Sequence, residues 1–232
     1  MGKKRPLSKT PFFHQKSRFR IGLMLDLNKI YLFRMTHMEN IPHILHAGIT
    51  HISSANRNTA YKPIGDSSLI NRRNSVVTPN STTLGDYIPF YFGTRMPMLY
   101  VVEKGFNGVS VTAAEKIIYC ISSVQKIIDL NLGFIFTDGH AVNELSSFYS
   151  AADVTHIHTL IDTSAINAHR WNDEADRDLK RRKEAEFLIA SDVPIQAILG
   201  YAVYNESAKV QLNNLGIPLE KIVIRPNYYF GL

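Results

Sequence analysis

The stretch Lys180-Arg181-Arg182-Lys183-Glu184-Ala185-Glu186-Phe187-Leu188-Ile189 restricts the fold of this 232-residue chain more than any other. A run of four cations gives way at once to an apolar segment that contains Glu186. Asn172, Asp173 and Glu174 read as a helix start, and positive charge is favoured beside the unpaired carbonyls of a last helical turn. The pattern therefore predicts a helix from Asn172 that ends near Lys183. Beyond it the apolar positions alternate with period two, so Ala185, Phe187 and Ile189 share one strand face and Glu186, Leu188 and Ala190 the other. Two readings fit that strand. Either it is an edge strand with Glu186 in solvent, or Glu186 is enclosed and must be paired, hydrogen-bonded or used in chemistry.

Composition narrows the class. With 45% apolar and 20% charged residues and no linker-like break, the chain is expected to form a single domain of mixed α/β (α+β) type. The sole cysteine, Cys120, lies in the apolar run Ile117-Ile118-Tyr119-Cys120-Ile121, which excludes a disulfide framework and points to a reducing, cytoplasmic setting. None of the nine histidines stands in a ligand spacing with cysteine, so no metal is expected. No apolar run reaches the roughly 18 residues of a membrane span. Seven of the 26 basic residues fall within residues 1–20, which hold no acid, and the other 19 face 20 acidic residues. The surplus is thus a basic arm, assigned to residues 1–28, ahead of a near-neutral domain over 29–232. With Phe12, Phe13 and Phe19 between its cations, the arm could grip phosphates by charge and bases by stacking; a disordered tail or a targeting segment are the alternatives.

In chain order, residues 30–33 are strand-like. Asn40 reads as the cap of a helix over Ile41–Ala47, with Pro42 in its first turn and Gly48 past its end. Residues 51–84 are polar and aperiodic, the mark of a functional or disordered loop, and Arg72-Arg73 is the most cationic point in it. Those forked guanidinium groups either hold an anion or lie solvated. Within the aromatic-rich residues 85–100, Phe90 and Phe92 read as core. Tyr91, on the other face, offers a stacking surface with Arg95 and Met98 beyond it. Strands are expected at 115–121, 134–136, 195–204 and 222–224, and helices at 122–130 and 207–215. His140 follows the Asp138-Gly139 turn, which places it on a loop top.

No Walker loop, GxGxxG, HExxH or GxSxG pattern occurs, so the commonest phosphate, dinucleotide and hydrolase frameworks have no support. What remains are three ordered segments: Asp86-Tyr87-Ile88-Pro89-Phe90-Tyr91-Phe92 with Arg95 and Pro97-Met98-Leu99-Tyr100; Phe136-Thr137-Asp138-Gly139-His140-Ala141; and Ala185-Glu186-Phe187-Leu188. In this order, and over nearly all of residues 30–230, the chain resembles the DarT family of DNA ADP-ribosyltransferase toxins. Thr36-His37 with Asn40-Ile41-Pro42-His43-Ile44-Leu45, and Pro226-Asn227-Tyr228-Tyr229-Phe230, add to the match.

The resemblance implies an ADP-ribosyltransferase-like fold with a central split β-sheet and flanking helices. It also implies transfer of one ADP-ribose from NAD, as co-substrate, to a base in single-stranded DNA, with nicotinamide released. Glu186 matches the catalytic glutamate, and Arg73 the essential loop arginine, with Arg72 as the alternative register. Arg34, Met35 and Thr36 fall at the first NAD-contacting segment, Asn40 and His43 just after it, and residues 56–75 at the element that folds over NAD. Tyr91, Arg95, Met98 and His140 match positions on the DNA side, residues 137–186 resemble the substrate-recognition loop, and Lys180 and Arg181 would hold phosphates. Arg34 stands where many members are expected to carry histidine, which keeps transfer to RNA or protein open, and a non-catalytic nucleic-acid-binding module is a further alternative. The resemblance further implies a monomeric toxin of a bacterial toxin–antitoxin pair, with a role against phage, no membrane contact, and a macrodomain antitoxin as partner. Breaking the bond between nicotinamide and ribose develops positive charge on the sugar, which a fixed carboxylate stabilises in the transition state.

Overall fold

The computed structural model describes residues 26–231, so the expectations for the basic arm fall on residues outside it, up to residue 25. Eight strands form one sheet: β1 (Tyr31–His37), β2 (Ile88–Tyr91), β3 (Ile117–Ser123), β4 (Phe134–Thr137), β5 (Phe148–Ser150), β6 (Glu186–Ile189), β7 (Gly200–Val203) and β8 (Ile222–Ile224). Their order is β5-β4-β6-β2-β1-β3-β7-β8, antiparallel throughout except between β7 and β8. The sheet is nearly split at its centre. β2 pairs along its length with β6 and β1 along its length with β3, but β1 and β2 meet in register only at Phe33 and Tyr91. Arg34 braces this seam, Nη1 donating to the Pro89 carbonyl at 2.8 Å.

The helices are short: α1 (Ile41–Ala47), α2 (Ser67–Arg73), α3 (Pro97–Lys104), α4 (Val124–Asp129), α5 (Ile157–Leu160), α6 (Thr163–Asn167), α7 (Leu179–Lys183) and α8 (Glu206–Asn214). Among the described residues no helix is long and apolar enough to cross a membrane.

β6 lies between β4 and β2, which overturns the edge-strand reading and explains why every one of its residues is buried. The period-two pattern holds. Ala185, Phe187 and Ile189 enter the main core, while Leu188 joins Leu84, Tyr87, Ile135, Ala141 and Val142 on the opposite face. The Phe187 ring stacks on Phe134 at 4.5 Å between centroids and meets Phe92 edge-on at 6.0 Å. Enclosing such a side chain stabilises the fold by about 1.5–3 kcal/mol, and here it fixes the strand that carries Glu186.

Four expectations need correction. The helix expected from Asn172 begins only at Leu179, because Arg182 draws the carboxylates of Asp162, Asp176 and Asp178 to one guanidinium and the approach to α7 wraps around it instead of coiling. The strand expected over 195–204 is confined to Gly200–Val203. Val193 bridges to Ile49, and the chain turns through Pro194 and a 3-10 turn at Ile195–Ala197 before reaching its place at the far side of β3. The loop over 51–84 contains α2, whose last residues are Arg72 and Arg73. Helix α1 has the expected bounds, but Asn40 makes no capping hydrogen bond with it.

Candidate active site

Glu186 opens β6 and is fully enclosed, and its two carboxylate oxygens have separate partners. Oε2 accepts from Arg73 Nη1 at 2.8 Å. Oε1 accepts from the Ala141 backbone N–H at 2.9 Å and lies 3.9 Å from His140 Nε2. An enclosed carboxylate is costly unless so compensated, and here a cation and a backbone dipole meet it from two different segments.

Arg73 arrives on the last turn of α2, a helix started by Asp66, whose carboxylate accepts from the Ser68 backbone N–H at 2.9 Å. That capping, with the Ser68 hydroxyl first among its causes, holds the Asp66 carboxyl below its ordinary range. Only 14% of the Arg73 side chain is exposed, and its Nη2 is buried without a hydrogen-bond partner. Arg72, one position earlier, is exposed.

The loop after β4 supplies the other oxygen's partner. The Thr137 hydroxyl accepts from the Glu186 N–H at 3.2 Å and donates to the Gly139 carbonyl at 2.6 Å, which ties the loop to the start of β6. A Cβ at Gly139 would stand 2.9 Å from the Arg181 carbonyl oxygen and closer still to its side chain, so the loop closes on α7 only with glycine there. That closure lets the His140 N–H donate to the Arg181 carbonyl at 2.9 Å and aims the next N–H, at Ala141, toward Glu186. His140 is half-buried rather than on an open loop top. Burial lowers its pKa against the opposing pull of Glu186, which favours the neutral ring.

Tyr91, half-buried, is registered opposite both Glu186 and Phe33 at the seam. Burial, then the charges of Glu186 and Glu184, raise its phenol well above the ordinary value. Tyr91 is therefore a neutral donor beside the carboxylate. The arrangement as a whole offers an enclosed anion, a guanidinium with an unused arm, a neutral imidazole and a phenol. Those groups suit a reaction that develops positive charge on a sugar carrying phosphates.

A family model described as ssDNA thymidine ADP-ribosyltransferase, DarT, matches residues 33–230. The chain belongs to the DarT family. A DNA ADP-ribosyl transferase of Mycobacterium tuberculosis is 30% identical to it over 210 residues, covering 86% of this chain and 88% of the relative. The structure of Thermus sp. 2.9 DarT in complex with ADP-ribosylated ssDNA aligns with a TM-score of 0.74 at 28% identity, over 87% of this chain and 96% of that one. The same Thermus protein in complex with NAD+ gives 0.71 at 26% identity, over 87% and 98%. A fusion of a DNA ADP-ribosyl transferase with a DNA ADP-ribosyl glycohydrolase, from Thermosipho africanus, is 26% identical over 86% of this chain and 49% of its own length.

The remaining residues that the DarT resemblance singled out fall into three groups. Met35 and Met98 join one apolar cluster with Phe33 and Ile64 beside the seam. Thr36 and Asn40 clamp the loop. Asn40 Nδ2 donates to the Thr36 hydroxyl at 3.0 Å and to the Lys62 carbonyl at 2.8 Å, and its Oδ1 accepts from the Lys62 N–H at 2.8 Å. The third group is placed elsewhere. His43 Nε2 pairs with the Thr50 hydroxyl at 3.1 Å on α1. Arg95 donates from Nη1 to the Tyr229 carbonyl at 2.7 Å and stacks its guanidinium 4.4 Å from the Phe230 ring centroid. Arg181 is engaged by Asp178 at 2.7 Å and Asp138 at 2.9 Å, leaving Lys180 as the exposed cation of the pair.

Two features of this DarT site went unread in the sequence. The Ala141 N–H has no side-chain signature. Glu184, buried beside the pair, is pushed up to about 7 by burial, opposed by Lys180 and reinforced by Glu186. Its signal was a second carboxylate two positions before Glu186, at the edge of the same apolar run.

Proposed function

We propose that this protein transfers ADP-ribose from NAD to a thymidine base in single-stranded DNA and releases nicotinamide. The observation that carries the reading is the contact between Arg73 and Glu186, with Glu186 fully enclosed. The unpartnered Arg73 Nη2 is a donor that a pyrophosphate oxygen would satisfy, so the residues present fit NAD. Glu186 lies under Arg73, and NAD reaches it by taking over the guanidinium. The seam between β1 and β2, braced by Arg34, is where the nicotinamide half is assigned.

In the transfer step the bond between the ribose carbon and the nicotinamide nitrogen breaks, and the bonding pair leaves with nicotinamide. A ring nitrogen of the base forms the new bond to that carbon. Its proton passes to Glu186, whose negative charge first stabilises the cationic sugar. Arg73 holds the phosphates and is a poor base. Tyr91, Met98 and His140 are assigned to the base, which must be unstacked to reach the sugar and is most accessible in a single strand. Lys180, the exposed cation beside the engaged Arg181, is assigned to the strand's phosphates.

Such a modification blocks base pairing on the template, which supports a toxin role; action in the cytoplasm as a monomer is part of the same proposal. The relative fused to a glycohydrolase supports a macrodomain partner that removes the modification. Labelled NAD is incubated with single-stranded DNA, RNA and protein acceptors. Label on thymidine-containing DNA is the expected result, and label on RNA or protein alone would overturn the assignment.

A further inference from the structure

Lys183 ends α7 and is almost wholly buried, 1% exposed, yet no acid pairs with it. Its Nζ donates to the Ile166 carbonyl at 2.9 Å, which leaves two of the three ammonium protons unassigned. Lys183 and Arg95 line one cavity of about 110 Å³ with Ile166, Asn167, His169 and Asn227 among its other walls. No Asp or Glu is among the lining residues. Asn167, His169 and Asn227 are exposed, whereas Lys183 and the Nε of Arg95 are buried.

Two cations facing one cavity without an acid is an unfavourable arrangement by itself. Burial and the Arg95 charge bring the Lys183 amine down to about 8, with the neighbouring Glu184 pulling the other way. Arg95 also adopts φ +55°, a left-handed conformation disfavoured in a residue with a side chain. Its Nη1 is used by Tyr229, but its Nε is buried with no partner. A tetrahedral oxyanion would satisfy that Nε and the remaining ammonium protons together, and one phosphate group fits the volume.

We propose that this cavity seats one phosphodiester of the bound strand, with Lys183 and Arg95 Nε as donors. The inference rests on the single-strand reading above and deepens it by assigning a phosphate subsite. Lys183 stands three residues before Glu186, and Arg95 four residues after Tyr91, the registered neighbour of Glu186. On that adjacency in the chain the seated phosphate is assigned to the strand next to the modified base, whose register in the site it would fix.

A methylphosphonate scan tests the assignment. Neutral linkages replace the phosphodiesters of a thymidine-containing oligonucleotide one at a time, and binding to the full chain is measured without NAD. One linkage is expected to cost wild type about tenfold, as expected for loss of a charge-assisted pair, and to cost Lys183→Met nothing further. Asn227→Asp, which places a negative charge at an exposed lining position without touching the core, is expected to weaken binding at the same linkage. It also decides the matter should Lys183→Met fail to fold. The salt slope should fall by about 0.7 in Lys183→Met, the share of one single-strand phosphate. Losses that add independently at every linkage in both variants would overturn the subsite, as would binding of inorganic phosphate with no coupling to any linkage. Intact DNA labelling beside either result would leave the transfer reading standing, whereas absent labelling would overturn that reading instead.

Discussion

Arg73 and Glu186 stand 113 residues apart in the chain and meet at 2.8 Å, Nη1 on Oε2. The contact joins a short helix in a polar loop to an interior strand, and of the two adjacent arginines it is Arg73 that makes it. Removing one partner of an enclosed ion pair strands the other, at a cost of about 3–5 kcal/mol when burial is complete. Arg73→Ala is expected to lose at least about 100-fold in transfer rate, the scale of a single transition-state donor, and to unfold at lower urea. Arg72→Ala, at an exposed position, should change stability by less than about 0.5 kcal/mol. Equal effects in urea titrations and labelling rates would reverse the assignment.

Glu184 makes stability depend on pH. Its carboxyl titrates at about 7 in the folded protein, against 4.5 for the ordinary group. Below 4.5 both states are protonated and the contribution is fully present. As pH rises from 4.5 through 7 the unfolded chain ionises first and stability is lost. Glu184→Gln should remove that slope and be more stable than wild type at pH 8 by up to about 3 kcal/mol. Urea unfolding at pH 5 and pH 8 measures the difference, and parallel curves would refute the burial argument.

Asn40 holds the loop that carries Arg73 through both backbone groups of Lys62. Asn40→Ala leaves those groups without partners, at about 1–3 kcal/mol for each buried one. The expected outcome is faster hydrogen exchange at the Lys62 amide and a KM for NAD raised more than kcat is lowered. Unchanged exchange would mean that the clamp does not order the loop.

Much of the fold was legible where local pattern and tertiary position agree. The alternation around Glu186 put Phe187 and Leu188 on opposite faces, and Pro42 with Gly48 bounded α1, because both signals are properties of a few adjacent residues. What escaped depended on partners distant in sequence. Nothing near Asn172 reveals that Arg182 will gather Asp162, Asp176 and Asp178, and that gathering replaces the expected first turns of helix. Asn40 has the composition of a cap, yet its amide reaches Lys62, 22 residues on. At the site, the ordered motifs contained Glu186, and the resemblance they carried pointed to Arg73 in the polar loop, with Arg72 as the alternative. The backbone donor at Ala141 and the burial of Glu184 and Lys183 arise only when β4, α7 and β6 come together.

The most direct measurement is the rate of ADP-ribose transfer from labelled NAD to a thymidine-containing single strand by Glu186→Gln. Glutamine keeps a carbonyl oxygen that can accept from Ala141 or Arg73, so folding should survive while the negative charge is gone. A loss of about 100- to 1,000-fold is predicted, the scale of one preorganised electrostatic contact in a transition state, in a protein that still folds but with a lower urea midpoint, because the amide nitrogen faces one of the two donors. Transfer within tenfold of wild type by a folded Glu186→Gln protein would contradict the account.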